Sequence, residues 1–473
     1  MNDEALKIMQ EEPVHFIEAG FDCSLWEKQK QIVESVRDNK YTSVKSCHDI
    51  GKSWVSARIV LWFLNAFQNS KVITTAPTFK QVEDILWREI GAAWTKRRFP
   101  SDGILNQTSL ELGREWFALG LSTNEPSRFQ GYHAEHILLL IDEAAGVKQD
   151  IFDASEGIVS SDSAKTLYLG NPTSLEGQFY KSFTISTVNK IHISAFDTPN
   201  FTTFGITLED IRNNTWEQKI TKELPAPYLI TPAWVYDKLL RWGEGTPMWE
   251  ARVMGEFPAE SNDTLIPLGR IEQARMVNLD VQEEDEEKIG ADFARFGSDK
   301  TEYAYRKGPK VLDWKTLFKV DTIANAGELK LFMDFHPQGR VNGDEGGLGV
   351  GIMDMVKDQN EFKEVNFVNS ASEPNDKESF INLRAEMYWG LRERFMSGSI
   401  DLSVLPQDVY DDLAAQLANI KYKFNSRGQR QIESKEDMKK RGLPSPDKAD
   451  ALALCFANIT NTPSILDYMK GFK

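Results

Sequence analysis

Residues 46–53 read SCHDIGKS, a spacing suited to gripping the phosphates of a nucleotide. In the pattern GxxxxGK[ST], backbone N–H groups and a helix N-terminus cradle the phosphates, the lysine meets the β and γ oxygens, and the hydroxyl holds Mg²⁺. Gly51, Lys52 and Ser53 fit those roles, while Ser46 stands where the pattern has a glycine that turns without steric cost. GKS alone also fits a loop before a surface helix, so the chemistry needs a second element. HILLLIDEAA at 136–145 supplies it: its apolar run describes a strand buried on both faces that delivers Asp142 and Glu143 to its carboxyl end. There Asp142 would hold Mg²⁺ through water or the Ser53 hydroxyl, and Glu143 would orient or deprotonate the attacking water.

A second set of acids lies in the other half of the chain. Asp292 falls in IGADFARF and Asp344 falls beside Glu345 in RVNGDEGG. Asp447 and Asp450 are three residues apart in SPDKADALAL, hence on one side of a helix. Each alone is as readily a cap or a surface acid. Together, Asp292, Asp344 and Asp447 suit two metal ions about 3.5–4 Å apart that activate water and stabilise the leaving oxygen in phosphodiester cleavage. Oxygen-only ligation favours Mg²⁺ or Mn²⁺ over zinc.

These residues need elements to hold them. The pattern predicts a strand at 41–45 leading into the phosphate loop and a helix at 53–67 leaving it. A strand at 72–75 running into a second amphipathic helix, and a strand at 166–169 running into GNPT, extend the series. Such βα units imply a mostly parallel sheet with ligands at the carboxyl ends of its strands, where Asn171 or Thr173 would reach a terminal phosphate. Upstream, residues 25–36 form an amphipathic helix with Gln29 near its start, and SRFQGYHAE puts Arg128 in a polar loop. In the second half, strands around Asp292 and at 302–306 form a hairpin, a short strand ends at Asp344, and a helix carries Asp447 and Asp450.

At 473 residues the chain exceeds what one core serves, and the turn residues of GEFP followed by the acidic run 280–287 divide it into domains at 1–258 and 259–473. A net charge of −16 excludes a whole-surface nucleic-acid binder. A local basic face remains between Lys421 and Lys448, including Arg430, Lys435 and Lys439. No apolar run approaches the roughly 18–20 residues of a membrane span, and the acidic N-terminus lacks the features of a signal peptide. Cys23, Cys47 and Cys455 are too scattered for a zinc site or disulfide framework, which favours a reducing cytoplasm.

The order of Gln29, SCHDIGKS, TTAPT, SRFQG, LLLIDEA and GNPT across 29–173 resembles the ATPase half of the large terminase subunits of tailed bacteriophages. DFARFGSDKT, VNGDEGGLGVG and SKEDMKKRGLPSPDKADALAL, within 289–457, resemble the nuclease domain of the same family. The resemblance implies an α/β chain with an N-terminal P-loop ATPase, mostly parallel in its sheet, and a C-terminal RNase H-like nuclease. It implies that Gln29 reads the adenine edge, that Ser46 tolerates the missing glycine, and that Arg128 acts on a neighbour's nucleotide in a homo-oligomeric ring on the procapsid. Asp450 and Glu345 join the nuclease acids, Lys435 approaches the scissile phosphate, and Arg430 and Lys439 lie in a basic segment that meets duplex DNA. ATP with Mg²⁺ in the motor and two Mg²⁺ or Mn²⁺ in the nuclease are the implied cofactors. Double-stranded DNA, a portal protein and a small terminase subunit are the implied partners, in the cytoplasm of the infected host. The expected function is ATP-driven translocation of DNA into a procapsid, with cutting of concatemeric DNA. A helicase-like repair ATPase with a fused nuclease would need a second motor lobe, for which 175–258 is too short. A degenerate DNA-binding scaffold is the other alternative.

Overall fold

Short aliphatic runs separated by amphipathic helices build a layered α/β chain. The structure, a computed structural model, describes residues 3–122, 126–259, 263–294, 300–346, 349–358 and 365–458. It divides into two compact units, Met1–Ala259 and Glu260–Lys473. Among the described residues no helix is long and apolar enough to cross a membrane.

The first unit is organised on strands β1 (Tyr41–Ser46), β2 (Lys71–Thr75), β3 (Ile104–Leu105), β4 (Ser109–Gly113), β5 (Trp116–Gly120), β6 (Ile137–Ile141), β7 (Lys165–Gly170) and β8 (Asn189–Ile193). They form one sheet in the order β3-β4-β5-β2-β6-β7-β1-β8. From β5 to β8 every pairing is parallel, and β3 and β4 add an antiparallel edge. β6, sequence ILLLI, is buried along its whole length, as a strand covered on both faces must be. On one face its Ile137, Leu139 and Ile141 pack with Ile73, Ile151, Phe152 and Phe179. The helix Lys52–Ala66 is buried almost all round, which its apolar composition requires. β7 lies between β1 and β6, so the GNPT turn emerges between the phosphate loop and Asp142.

The second unit has β9 (Glu287–Asp292), β10 (Thr301–Lys307), β11 (Lys310–Leu317), β12 (Arg340–Asp344) and β13 (Val365–Val368) in the order β11-β10-β9-β12-β13. β9 runs antiparallel to β10 and parallel to β12, and β12 is parallel to β13. A separate hairpin pairs β14 (Tyr422–Phe424) with β15 (Arg430–Ile432). Alternation along β9 decides the layers. Ile289 and Ala291 join a core with Leu329, Phe332, Met333 and Met353 from two helices on one face. Lys288, Gly290 and Asp292 therefore point to the other face, where the helix Asp447–Phe456 packs. Side chains finish that helix: Lys288 Nζ donates to Ala457 O at 2.9 Å, Arg306 Nε to Cys455 O at 2.8 Å and Asn342 Nδ2 to Leu454 O at 2.9 Å. They satisfy carbonyls that a helix C-terminus leaves open.

The approach of this helix to β9 leaves no room for a side chain at position 290. A Cβ there would lie 2.1 Å from Ala451 O and 2.4 Å from Cys455 N, both backbone atoms. Gly290→Ala is therefore expected to lower the stability of the second unit by about 3 kcal/mol or more by overpacking. The drop would be read as a lost or shifted transition in a thermal melt, with the transition of the first unit unmoved.

Candidate active sites

In the first unit the loop between β1 and the helix Lys52–Ala66 is shaped by two left-handed residues, Asp49 at φ 47° and Gly51 at φ 78°. Ser46 belongs instead to the end of β1, fully buried, with its hydroxyl donating to Cys47 O at 3.1 Å. This is why a serine is accommodated where the pattern has glycine: the turn comes three residues later. Ser46 contributes its carbonyl, which accepts from Asn171 Nδ2 at 2.7 Å. Gln29, also buried, braces the loop from behind, its Nε2 donating to Ile50 O at 3.4 Å. Gly51 is further constrained because a Cβ would meet that amide at 3.0 Å.

The catalytic candidates converge on this loop. Ser53 Oγ donates to Asp142 Oδ2 at 2.7 Å, Lys52 Nζ lies 3.4 Å from Glu143 Oε1, and Lys52 Nζ is 3.5 Å from Asn171 Oδ1. Glu143 holds a left-handed backbone at φ 47°, a conformation that costs a non-glycine residue and marks a position fixed by its surroundings. Asp142 is 4% exposed. Burial first, then the neighbouring Glu143 charge, push its carboxyl up to about 6 against the pull of Lys52 and Ser53. Arg128 is exposed on the turn Pro126–Phe129, which precedes β6.

In the second unit, β9 and β12 end side by side, so Asp292 and Asp344 project from neighbouring carboxyl ends. The helix Asp447–Phe456, lying across β9, brings Asp450 to the same place. Asp292, Asp344 and Asp450 line one cavity of about 290 Å³ with Arg384, Tyr388, Ser434 and Lys435. Burial raises Asp292 well above the carboxylate range, and the charges of Asp450, Asp447 and Asp344 add to it against Lys435. Burial likewise raises Asp344. At Asp450 burial acts upward too, but Arg384, Lys435 and the Tyr388 hydroxyl outweigh it and hold the acid below its ordinary value. Tyr388 Oη donates to Asp450 Oδ1 at 2.6 Å, Arg384 lies 3.5 Å from the same oxygen, and Lys435 Nζ is 2.7 Å from Oδ2. The Lys435 ammonium thus faces Oδ2, an oxygen buried from solvent, and compensates its charge.

Asp447 is not among the residues lining this cavity. It is buried, and its Oδ2 accepts from Lys300 N at 2.8 Å. Three residues of helix turn through about 300°, so it and Asp450 point about 60° apart, enough to separate the cavity wall from the flank of β10. Asp450 is the acid of this pair that lines the cavity, while the charge of Asp447 still acts on Asp292 and Lys435. Glu345 follows β12 with its N–H bonded to Val368 O and is not a cavity residue. The basic segment also divides. Lys439 is exposed, Arg430 stacks on Trp389 at 4.4 Å, and Lys448 is buried against Glu302, with both carboxylate oxygens 3.0 Å from its Nζ. Lys448 is thus a core residue and not part of a basic face. Among the described residues no group of three His, Cys, Asp or Glu side chains is closed around a point fit for an ion. The Lys435 ammonium lies against Asp450 instead.

Sequence reading passed over Arg384, Tyr388, His48, Trp234 and Arg252. Arg384 and Tyr388 share one face of the helix Leu383–Ser397 at i,i+4, the only local sign that they act together. His48 lies in the phosphate loop itself, whereas Trp234 and Arg252 meet it from remote segments and carry no local signal.

No family model matches the chain. It is 26% identical over 463 residues to the probable terminase large subunit of Enterobacteria phage P7, covering 92% of this chain and 88% of that protein. Along most of its length the chain is thus similar to a large terminase subunit. Among solved structures, the nuclease domain of the large terminase subunit gp2 of bacterial virus Sf6 covers 42% of this chain and 100% of its own, at 21% identity and a TM-score of 0.39. A large terminase from a thermophilic bacteriophage covers 90% of this chain and 97% of its own, at 12% identity and a TM-score of 0.38.

The raised Asp142 carboxyl gives this protein a testable pH signature. The folded state holds that proton more tightly than the unfolded chain, whose carboxyl titrates near 3.8. Its contribution is therefore full below about pH 4 and is lost as pH rises through about 6. In nucleotide-free protein the loss approaches about 3 kcal/mol. Melts of the wild type and Asp142→Asn across pH 4–7 should converge toward pH 4 and diverge above it, with the asparagine variant gaining relative stability.

Proposed function

We propose that this chain is a viral DNA-packaging motor that hydrolyses ATP to move double-stranded DNA into a procapsid and cuts concatemeric DNA with its second unit. The observation that carries the reading is the occurrence, in one chain, of two carboxylate sites at the ends of parallel strands, one joined to a phosphate loop and one set opposite cations. In the first, Lys52 would meet the β and γ oxygens, Ser53 and Asp142 would hold Mg²⁺, and Glu143 would take the proton of the attacking water. The Lys52–Glu143 pair supports this, since a bound phosphate would draw the lysine away and release the glutamate as a base.

In the second, Asp292, Asp344 and Asp450 are the residues that would hold Mg²⁺ or Mn²⁺. The buried Asp450 Oδ2, which already faces the Lys435 ammonium, suits a cation, and the all-oxygen set suits a hard one. Divalent ions bound there supply water activation and charge stabilisation at the leaving oxygen. Tyr388 and Arg384 fix Asp450, and Lys435 is positioned to turn from Asp450 to a phosphate of the strand. The hairpin of β14 and β15 presents Lys423 and Arg427 to solvent beside this cavity, for contacts to the backbone that carry no sequence information. A ring of copies in which Arg128 serves a neighbour's nucleotide, with a portal protein and a small terminase subunit as partners, completes the proposal.

Two assays test it on the full chain. Glu143→Gln is expected to lower DNA-stimulated ATP hydrolysis by about 10²–10⁴-fold while nucleotide still binds. Hydrolysis at the wild-type rate would remove Glu143 from the mechanism, and none in the wild type with DNA and procapsids would remove the motor. In plasmid digestion with Mg²⁺ or Mn²⁺, Asp292→Asn and Asp450→Asn should each lose cleavage by about 100-fold or more, and chelator should abolish it. Asp447→Asn should retain most cleavage. Loss in Asp447→Asn with retention in Asp450→Asn would reverse the assignment of the third acid.

A further inference from the structure

Behind the phosphate loop lies an arginine from the far end of the first unit. Arg252 sits on the π-helical turn Glu250–Met254, shortly before the unit closes at Ala259. Its NH1 donates to Asn171 Oδ1 at 3.1 Å and lies 3.2 Å from His48 Nδ1. Both partners belong to the nucleotide site, His48 within SCHDIGKS and Asn171 in GNPT. Burial first, then the charges of Arg252, Lys52 and Lys238, keep His48 well below its ordinary pKa, so its ring is neutral and stacks beside Trp234 with centroids 6.1 Å apart.

The turn is also locked to the loop through backbone. His48 N donates to Arg252 O at 2.9 Å, and Cys47 N donates to Ile193 O at 2.8 Å. Gly255, left-handed at φ 66°, permits the contact, for a Cβ would fall 2.3 Å from Ile193 O and 2.8 Å from Cys47 N. Glu256 continues it by pairing with Lys45 of β1 and, at 3.3 Å, with His192 of β8.

Asn171 Oδ1 thus has two cations on it, Arg252 at 3.1 Å and Lys52 at 3.5 Å. Two cations converging on one oxygen mark a place that an anionic oxygen would suit, with Lys52 held also by Glu143. π-Helical turns often stand at such sites.

We infer that Arg252 is a phosphate-contacting residue supplied in cis, exchanging Asn171 for the terminal phosphate of a bound nucleoside triphosphate. The inference rests on the reading of the first unit as an ATPase. Its consequence is mechanical: the guanidinium cannot follow the phosphate without drawing on the turn 250–256, which is keyed into β1 and β8 and leads out of the unit. Arg252 thereby distinguishes triphosphate from diphosphate and reports the difference to the chain that follows.

The test uses the full chain with fluorescent ADP and a fluorescent non-hydrolysable ATP analogue, each with Mg²⁺. Arg252→Ala is expected to weaken the triphosphate analogue by at least about 10-fold and to leave ADP within about 2-fold. ATP turnover should fall by about 10²-fold or more. Arg252→Lys keeps the charge without the fork, and should recover part of the triphosphate affinity while turnover stays low. It also serves where the alanine variant fails to fold. Equal weakening of ADP and triphosphate analogue in both variants would reduce Arg252 to a structural brace and overturn the inference, as would no change in either. Wild-type protein that binds neither nucleotide would instead overturn the ATPase reading on which it depends, and Lys52→Ala, expected to lose both ligands, separates the two failures.

Discussion

Asp142 is 4% exposed at the end of a strand that is buried on both faces, and holding a negative charge there governs the design of the first unit. Desolvation disfavours the carboxylate, so the surrounding chain must supply hydroxyl, ammonium or ion. Ser53 and Lys52 do so from the first turn of the following helix, and the order of strands brings Asn171 between them. The second unit meets a harder form of the same constraint. Its Asp292, Asp344 and Asp450 share one cavity, and each raises the free energy of ionising the next. Arg384, Lys435 and Tyr388 are the response, all directed at Asp450.

Both clusters form at carboxyl ends of adjacent parallel strands, and this explains how much of them was legible in the sequence. ILLLIDE reads directly as a buried strand delivering two acids, and the phosphate loop with its helix follows from SCHDIGKS and the apolar run behind it. Asp292 and the hairpin after it are equally local. What the sequence withheld depends on rotation and distance. Asp447 and Asp450 differ by an angle about the helix axis that a pattern of apolar residues leaves open by half a turn. Lys448 looks like one more surface cation until β10 brings Glu302 to it. Arg252 is separated from His48 by 204 residues, and no local spacing records their contact.

The missing glycine at position 46 illustrates how a motif is a summary of geometry. Backbone freedom is needed once in this loop before Gly51, and here Asp49 takes the left-handed conformation that asparagine and aspartate tolerate best after glycine. β1 runs through Ser46 and the bend falls at Asp49, so the serine is a strand terminus whose carbonyl anchors Asn171.

The buried pair of Lys448 and Glu302 has a bearing beyond its own energy. Such pairs contribute little net stability, because the cost of stripping two ions of water consumes most of their attraction. Their value is angular. With Lys448 Nζ held by Glu302 and by Thr316 at 2.8 Å, the first turn of the helix Asp447–Phe456 is fixed about its own axis. A lone apolar stripe on a sheet tolerates rolling; a charge that has one place to go does not. The pair works as an azimuthal key, setting which of two neighbouring acids the helix presents to its cavity.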